Sequence, residues 1–205
     1  RGLWLRTLSL AIPRAEAGDT AAMTMIGTLY EGGIGIPVDL AKAARWYRLA
    51  ADKGDREARS ALAQMYVAGR GMPKDLGEAW KLFSAAAAQD QPIALYNGAI
   101  MMFDGRTAPH DPEKATAWLK RAAERGLPDS QYNVARIYET GADGVAKNPT
   151  EALKWYMIAA RGGDSEAQAA VTRLRPTTSA VDQRAARTAA DAFVAQNRSA
   201  ATAAG

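Results

Sequence analysis

The residues of this chain best suited to chemistry are few. Two glycine pairs, Gly33-Ile34-Gly35 and Gly69-Arg70-Gly71, have the spacing of turns that cradle phosphate. No Gly-x-x-x-x-Gly-Lys-Ser/Thr exists, however, and both pairs follow helical patterns rather than strands. Helix-terminating turns account for them better. The single histidine, His110, stands beside Asp111 in a loop with no second histidine or cysteine to share a metal, so a solvated residue is expected. One histidine also leaves a Ser-His triad very hard to build. Carboxylates such as Glu31 and Glu139 are solitary on their helices, which supplies no paired acid and base. Trp46, Trp118 and Trp155 recur at equivalent positions and are expected to pack between helices rather than to stack on bases. No catalytic residue, metal ligand or cofactor site is expected.

Composition narrows the class further. The 205 residues are 48% hydrophobic and 23% charged, an ordinary globular balance. Mean hydropathy is −0.26, and no uncharged apolar run approaches the roughly 18 residues of a membrane span. With no cysteine, a disulfide scaffold, a thiol nucleophile and a thiolate metal site are excluded. A net charge of +4 is far short of a nucleic-acid footprint. The chain opens at Arg1 rather than methionine, as expected of a mature or excised piece. Its first residues faintly resemble a secretory signal, but Arg6 splits the apolar stretch and leaves it too short.

What positions these residues is an internal repeat. Trp46-Tyr47 with Ala50-Ala51, Trp118-Leu119 with Ala122-Ala123, and Trp155-Tyr156 with Ala159-Ala160 share one pattern. Trp46 and Trp118 are 72 positions apart, two steps of 36, with Leu82-Phe83 and Ala86-Ala87 at the midpoint. Tyr30, Tyr66, Met102 and Tyr138 keep the same phase, as do Gly33, Gly69, Gly105 and Gly141, and Pro37, Pro73 and Pro109. Several residue types holding one register over four units predict a helical-repeat array.

Each unit reads as two helices. The first, such as Thr20 to Gly32 or Arg56 to Ala68, has small and apolar residues at helical spacing and ends at a glycine. The second opens at Asp39, Asp75, Asp111 or Asn148, all good N-caps, with Pro112 and Pro149 at the first helical position. Glu78 and Glu151, three residues after their caps, are placed to complete a capping box. After a fifth first-type helix from Ser165 to Arg175, Pro176 breaks the chain's path, and Ser179 to Asp182 offers a new cap. Ala185, Ala189, Ala192 and Phe193 then form a narrow apolar stripe, expected of a terminal capping helix.

These residues resemble the Sel-one-like repeat family, a relative of the tetratricopeptide repeats. The first full unit carries the family pattern at Ala22, Ile26, Gly27, Tyr30, Gly33, Gly35, Asp39, Lys42, Ala43, Trp46, Tyr47, Ala50, Ala51 and Gly54. Leu82-Phe83 in place of Trp-Tyr, Met102 in place of tyrosine and an inserted Ala142 are mild departures. The resemblance implies an all-α, right-handed α/α superhelical solenoid of four helix-turn-helix repeats with a C-terminal capping helix. The expected organisation is a degenerate repeat helix over 1–18, repeats at about 19–54, 55–90, 91–126 and 127–163, the fifth first-type helix and capping helix over 164–196, and a disordered tail over 197–205. Further repeats before Arg1 are expected in the native protein.

The resemblance also implies a non-enzymatic scaffold or adaptor that binds a partner protein or peptide in its concave groove, in bacteria often in the cell envelope. A periplasmic or envelope location is expected, with the cytoplasm as the alternative. By analogy with tetratricopeptide repeats, the groove is lined by Thr24, Thr28 and Glu31, then Ser60, Gln64 and Val67, then Tyr96, Ile100 and Phe103, then Tyr132, Arg136 and Glu139, with Arg173 beyond. Thr28, Gln64, Val67, Tyr96, Ile100, Phe103, Tyr132, Arg136 and Arg173 form the expected partner-binding set. Tyr96, Ile100 and Phe103 would be an apolar anchor, or simply a broader core, and Arg136 and Arg173 would read an acidic flank. Other readings are an enzyme or accessory subunit acting on the cell wall, and an RNA-binding helical repeat. Lysines and arginines mixed with acids over the second helices argue for a solvated face, so no nucleic-acid partner is expected. The oligomeric state is left open.

Overall fold

Helix boundaries follow from local chemistry that repeats every 36 or 37 residues. The computed structural model describes the backbone of residues 2–203 and the side chains of residues 5–193. Eleven α-helices are present among the described residues: α1 (Gly2–Glu16), α2 (Thr20–Gly32), α3 (Leu40–Asp52), α4 (Arg56–Ala68), α5 (Leu76–Ala88), α6 (Pro92–Asp104), α7 (Pro112–Glu124), α8 (Pro128–Thr140), α9 (Pro149–Arg161), α10 (Ser165–Leu174) and α11 (Ala180–Ala203). A 3₁₀ turn at Arg175–Thr177 separates the last two. The expected tail over 197–205 falls outside the residues whose side chains are described.

Each second-type helix starts where Asp39, Asp75, Asp111 or Asn148 accepts a hydrogen bond from the backbone N–H three residues on, satisfying one of the helix's free donors. The reciprocal half of the capping box does not form. The cap N–H groups of Asp75 and Asn148 already donate to the Tyr66 and Tyr138 carbonyls, so Glu78 turns to Lys81 at 2.9 Å and Glu151 to Lys154 at 2.7 Å. First-type helices stop at Gly33, Gly69 and Gly105, whose φ of 63°, 65° and 69° is the left-handed cap that glycine adopts without strain. Helix α6 is capped by Gln91, whose side-chain oxygen accepts from the Ala94 N–H at 2.7 Å while its amide donates to Glu57 in α4. Glutamine is a poor sequence signal for a cap, so only the structure reveals this one.

The chain divides into two compact units, residues 1–109 and 110–205. In the first, each helix from α1 to α6 packs on the next in the chain; in the second, α7, α8, α9 and α10 do the same, and α11 returns to pack on α9. The alanine pairs explain the close approach. Ala50, Ala51, Ala86, Ala87, Ala122 and Ala123 are at most 3% exposed, which removes side-chain bulk where helix backbones meet. Large side chains fill the rest: Tyr47, Phe83, Leu119 and Tyr156, each just after the Trp position, are at most 2% exposed. Each such burial is worth about 1.5–3 kcal/mol. The tryptophan position itself is only half-buried at Trp46 and Trp118 and fully buried at Trp155.

Two sequence expectations are corrected here. The buried stripe of α11 is Ala186 and Ala190, with Phe193 half-buried, whereas Ala185, Ala189 and Ala192 are exposed. An alanine-rich helix has no strong periodicity to fix its phase; the contact of Phe193 with Trp155, edge to face at 5.7 Å, sets it instead. Ser60, placed in the groove by phase, is buried at 1% exposure.

Candidate partner-binding faces

In the first unit the expected positions fall on α2, α4 and α6. Thr28, Gln64, Val67 and Ile100 are exposed, and Tyr96 and Phe103 are half-buried. Exposure reaches 38% for Val67 and 43% for Ile100, high for large apolar side chains on helices that already pack on their neighbours. The polar end of this face is tied together. Tyr47 donates to Glu31 at 2.8 Å, Thr28 lies 3.1 Å from the same phenol oxygen, and Arg70, just past α4, reaches the other Glu31 oxygen at 2.8 Å. Thr24 meanwhile donates to Asp55, the cap of α4, at 3.2 Å. Burial, with the Glu31 carboxylate beside it, pushes the Tyr47 phenol far above its ordinary value, so it remains a donor at physiological pH.

The Tyr47 ring sits against α2 at a place where only glycine fits. A Cβ at Gly27 would lie 2.6 Å from Tyr47 Cε1. The glycine lets the ring slide in far enough for its hydroxyl to reach Glu31.

The second unit carries the same device at its own face. Tyr156 donates to Glu139 at 2.7 Å, and Arg173 from α10 grips that carboxylate through both terminal nitrogens. The Arg173 guanidinium holds the Glu139 carboxyl below its ordinary value; burial opposes this and the Tyr156 hydrogen bond assists it. Tyr132 packs edge to face on Tyr156 at 5.6 Å, and its phenol is pushed up by burial and by a hydrogen bond to Glu166. Arg136 is exposed and forms no ion pair among the described residues. Of the two arginines expected to meet an acidic partner, Arg136 is therefore open and Arg173 is engaged within the chain.

Glu31 and Glu139, expected from the sequence to be solitary, are both engaged. Their partners lie on the following helix and beyond, and one signal for them is present. Positions 31 and 139 are glutamate where positions 47 and 156 are tyrosine; Val67 and Phe83 hold the equivalent places in the second repeat, and Phe103 and Leu119 in the third. Polar meets polar and apolar meets apolar, repeat by repeat.

Comparisons with known proteins agree with this architecture. The Sel1 repeat profile matches residues 20–55, 56–91, 92–127 and 128–164. The crystal structure of a protective antigen present in uropathogenic Escherichia coli strains, displaying an SLR fold, is 32% identical with a TM-score of 0.75, covering 92% of this chain and 41% of that one. A Sel1 repeat protein from Oxalobacter formigenes is 32% identical with a TM-score of 0.70, covering 78% of this chain and 65% of that one. The chain thus spans less than two thirds of the length of either. An immunity protein from Pseudomonas aeruginosa, 20% identical with a TM-score of 0.56 over 94% of this chain and 75% of that one, shares the fold alone. A search of curated proteins gives no match. Four consecutive repeat matches, in phase with the helix pairs and their caps, make the assignment plain: this all-α solenoid belongs to the Sel1 repeat family.

Proposed function

We propose that the chain is a non-enzymatic scaffold that binds a partner protein or peptide on the open faces of its first-type helices. The observation that carries this is the apolar stripe of the first unit: Val67 on α4 and Phe103 on α6 hold the same repeat position, Tyr96 and Ile100 share the face of Phe103, and Val67 and Ile100 are well exposed. An apolar patch rimmed by Thr28 and Gln64 has the anatomy of an interaction surface. Sel1 repeat proteins are in general protein-interaction scaffolds, which supports the reading. In the second unit Tyr132 and Arg136 offer a ring and an open cation, with Arg173 contributing through its pairing with Glu139. A role in the bacterial envelope, with the periplasm as location, is part of this proposal. No helix among the described residues is long and apolar enough to cross a membrane.

The test is capture of a partner by the immobilised chain from separate envelope and cytosolic fractions, followed by mass spectrometry and affinity measurement. Ile100→Asp and Phe103→Ala are expected to weaken the captured complex by about 2 kcal/mol or more. Ile100→Asp, on an exposed site, is expected to leave the melting temperature nearly unchanged. Unchanged affinity in both variants overturns the stripe as the anchor. A loss of about 3–5 kcal/mol of stability in Phe103→Ala would mark that ring as core. A partner recovered from the cytosol alone overturns the envelope location.

A further inference from the structure

A second feature lies in the 110–205 unit and is independent of the apolar stripe. Helices α9, α10 and α11 enclose a cleft of about 380 Å³. Met157, Ala160 and Val171 give it an apolar lining, while Arg161, Arg175 and Arg187 line it from α9, the 3₁₀ turn and α11. Gln168 adds an uncharged amide. Of the three, only Arg161 has a carboxylate partner among the described residues, Asp191. Arg175 and Arg187 form no ion pair among the described residues. No carboxylate is among the lining residues; Asp182 accepts from Thr150 and Ser179, Asp164 caps α10 through the Ala167 N–H, and Glu139 holds Arg173.

The lining carries three arginines and no carboxylate, and Asp191 pairs with one of them, so the lining side chains leave an excess of positive charge. Like charges gathered in a recess repel one another, and a bound anion relieves that repulsion. Guanidinium forks match the geometry of phosphate oxygens, and a phosphate monoester carries about 1.5–2 negative charges at neutral pH, the complement of this excess. The volume is at the small end of ligand sites. The apolar lining suits a short alkyl or similarly apolar body beyond the head group.

We propose that this cleft binds a small phosphate monoester bearing a short apolar group. Arg175 and Arg187 hold the phosphate, Arg161 assists from its pairing with Asp191, and Met157, Ala160 and Val171 receive the apolar portion.

Isothermal titration of the whole chain with hexyl phosphate tests this, with hexanoate, inorganic phosphate and hexanol as companion probes. Saturable one-to-one binding of hexyl phosphate is expected, weakened at least about tenfold in Arg175→Gln/Arg187→Gln. Inorganic phosphate and hexanoate are expected to bind more weakly, and hexanol not measurably. Arg184→Gln, on α11 but outside the cleft, is expected to bind as the parent does. Both substituted arginines are exposed, and an unchanged circular-dichroism melt verifies that the double variant folds. Absence of saturable binding at about 5 mM hexyl phosphate overturns the proposal, as does equal affinity in the double variant. Equal weakening by Arg184→Gln would reduce the effect to general surface charge and overturn it too. Hexanoate binding as tightly as hexyl phosphate overturns the assignment of a dianion.

Discussion

Arg173 closes on Glu139 with two guanidinium nitrogens, 2.6 and 3.1 Å from its two carboxylate oxygens, while Tyr156 donates to the same group at 2.7 Å. Three helices, α8, α9 and α10, are thus pinned at one carboxylate. The folded-state pKa of Glu139 is depressed. Its contribution to stability is therefore fully present above the unfolded carboxylate value of about 4.3 and is lost as pH falls through the folded value. Melting curves of the parent and Glu139→Gln are expected to differ most at neutral pH and to converge as pH drops toward about 3. A gap of equal size at both ends would show that the charge is irrelevant.

Gly27 is expected to tolerate no side chain. A methyl group 2.6 Å from the Tyr47 ring has to displace a buried aromatic. Gly27→Ala should lose about 1–3 kcal/mol in chemical denaturation despite alanine's better helix propensity. A gain in stability would mean the ring shifts freely, and with it the reach of Tyr47 to Glu31.

Trp155 is 2% exposed, and its indole N–H finds no acceptor among the described residues. Phenylalanine would keep the edge contact with Phe193 and remove the orphaned donor. Trp155→Phe is therefore expected to cost less than about 1.5 kcal/mol, against about 3–5 for Trp155→Ala. Equal losses in the two variants would show that the ring contact contributes nothing.

The start of α11 is fixed by a reciprocal cap. Ser179 accepts from the Asp182 N–H at 3.1 Å and donates to the Asp182 carboxylate at 2.6 Å, and Thr150 on α9 donates to that carboxylate at 3.0 Å. Ser179→Ala should cost about 1 kcal/mol. Amide exchange should quicken in the first turns of α11 and stay unchanged in α7 and α8. Uniform quickening would show that the cap supports the whole unit rather than its terminal helix.

Boundaries were legible because their determinants are local. Asp39 and Asp75 lie three residues from the N–H groups they cap, and Gly33 and Gly69 supply the positive φ where α2 and α4 stop; both helices end where the pattern places them. The Gln91 cap was hidden because its residue type rarely does that work. The phase of α11 was hidden because alanine on every side gives no direction, leaving Phe193 and its tertiary contact to decide. At the candidate faces the pairings were not legible, nor was the burial of Ser60. Glu31 meets Tyr47 and Arg70, 16 and 39 residues on, and such distances are set by packing rather than by local spacing.

The matched chemistry at positions 31 and 47 limits how such an array can be recombined. If α2 and α4 changed places, a glutamate would face Phe83 and the Tyr47 hydroxyl would face a valine. Two polar groups would lose their partner in a single exchange. Moving α2 together with α3 keeps both, although Glu31 would still leave Arg70 behind in its neighbour. The transferable module is the helix pair, and even that module arrives with one bond owed to the repeat after it.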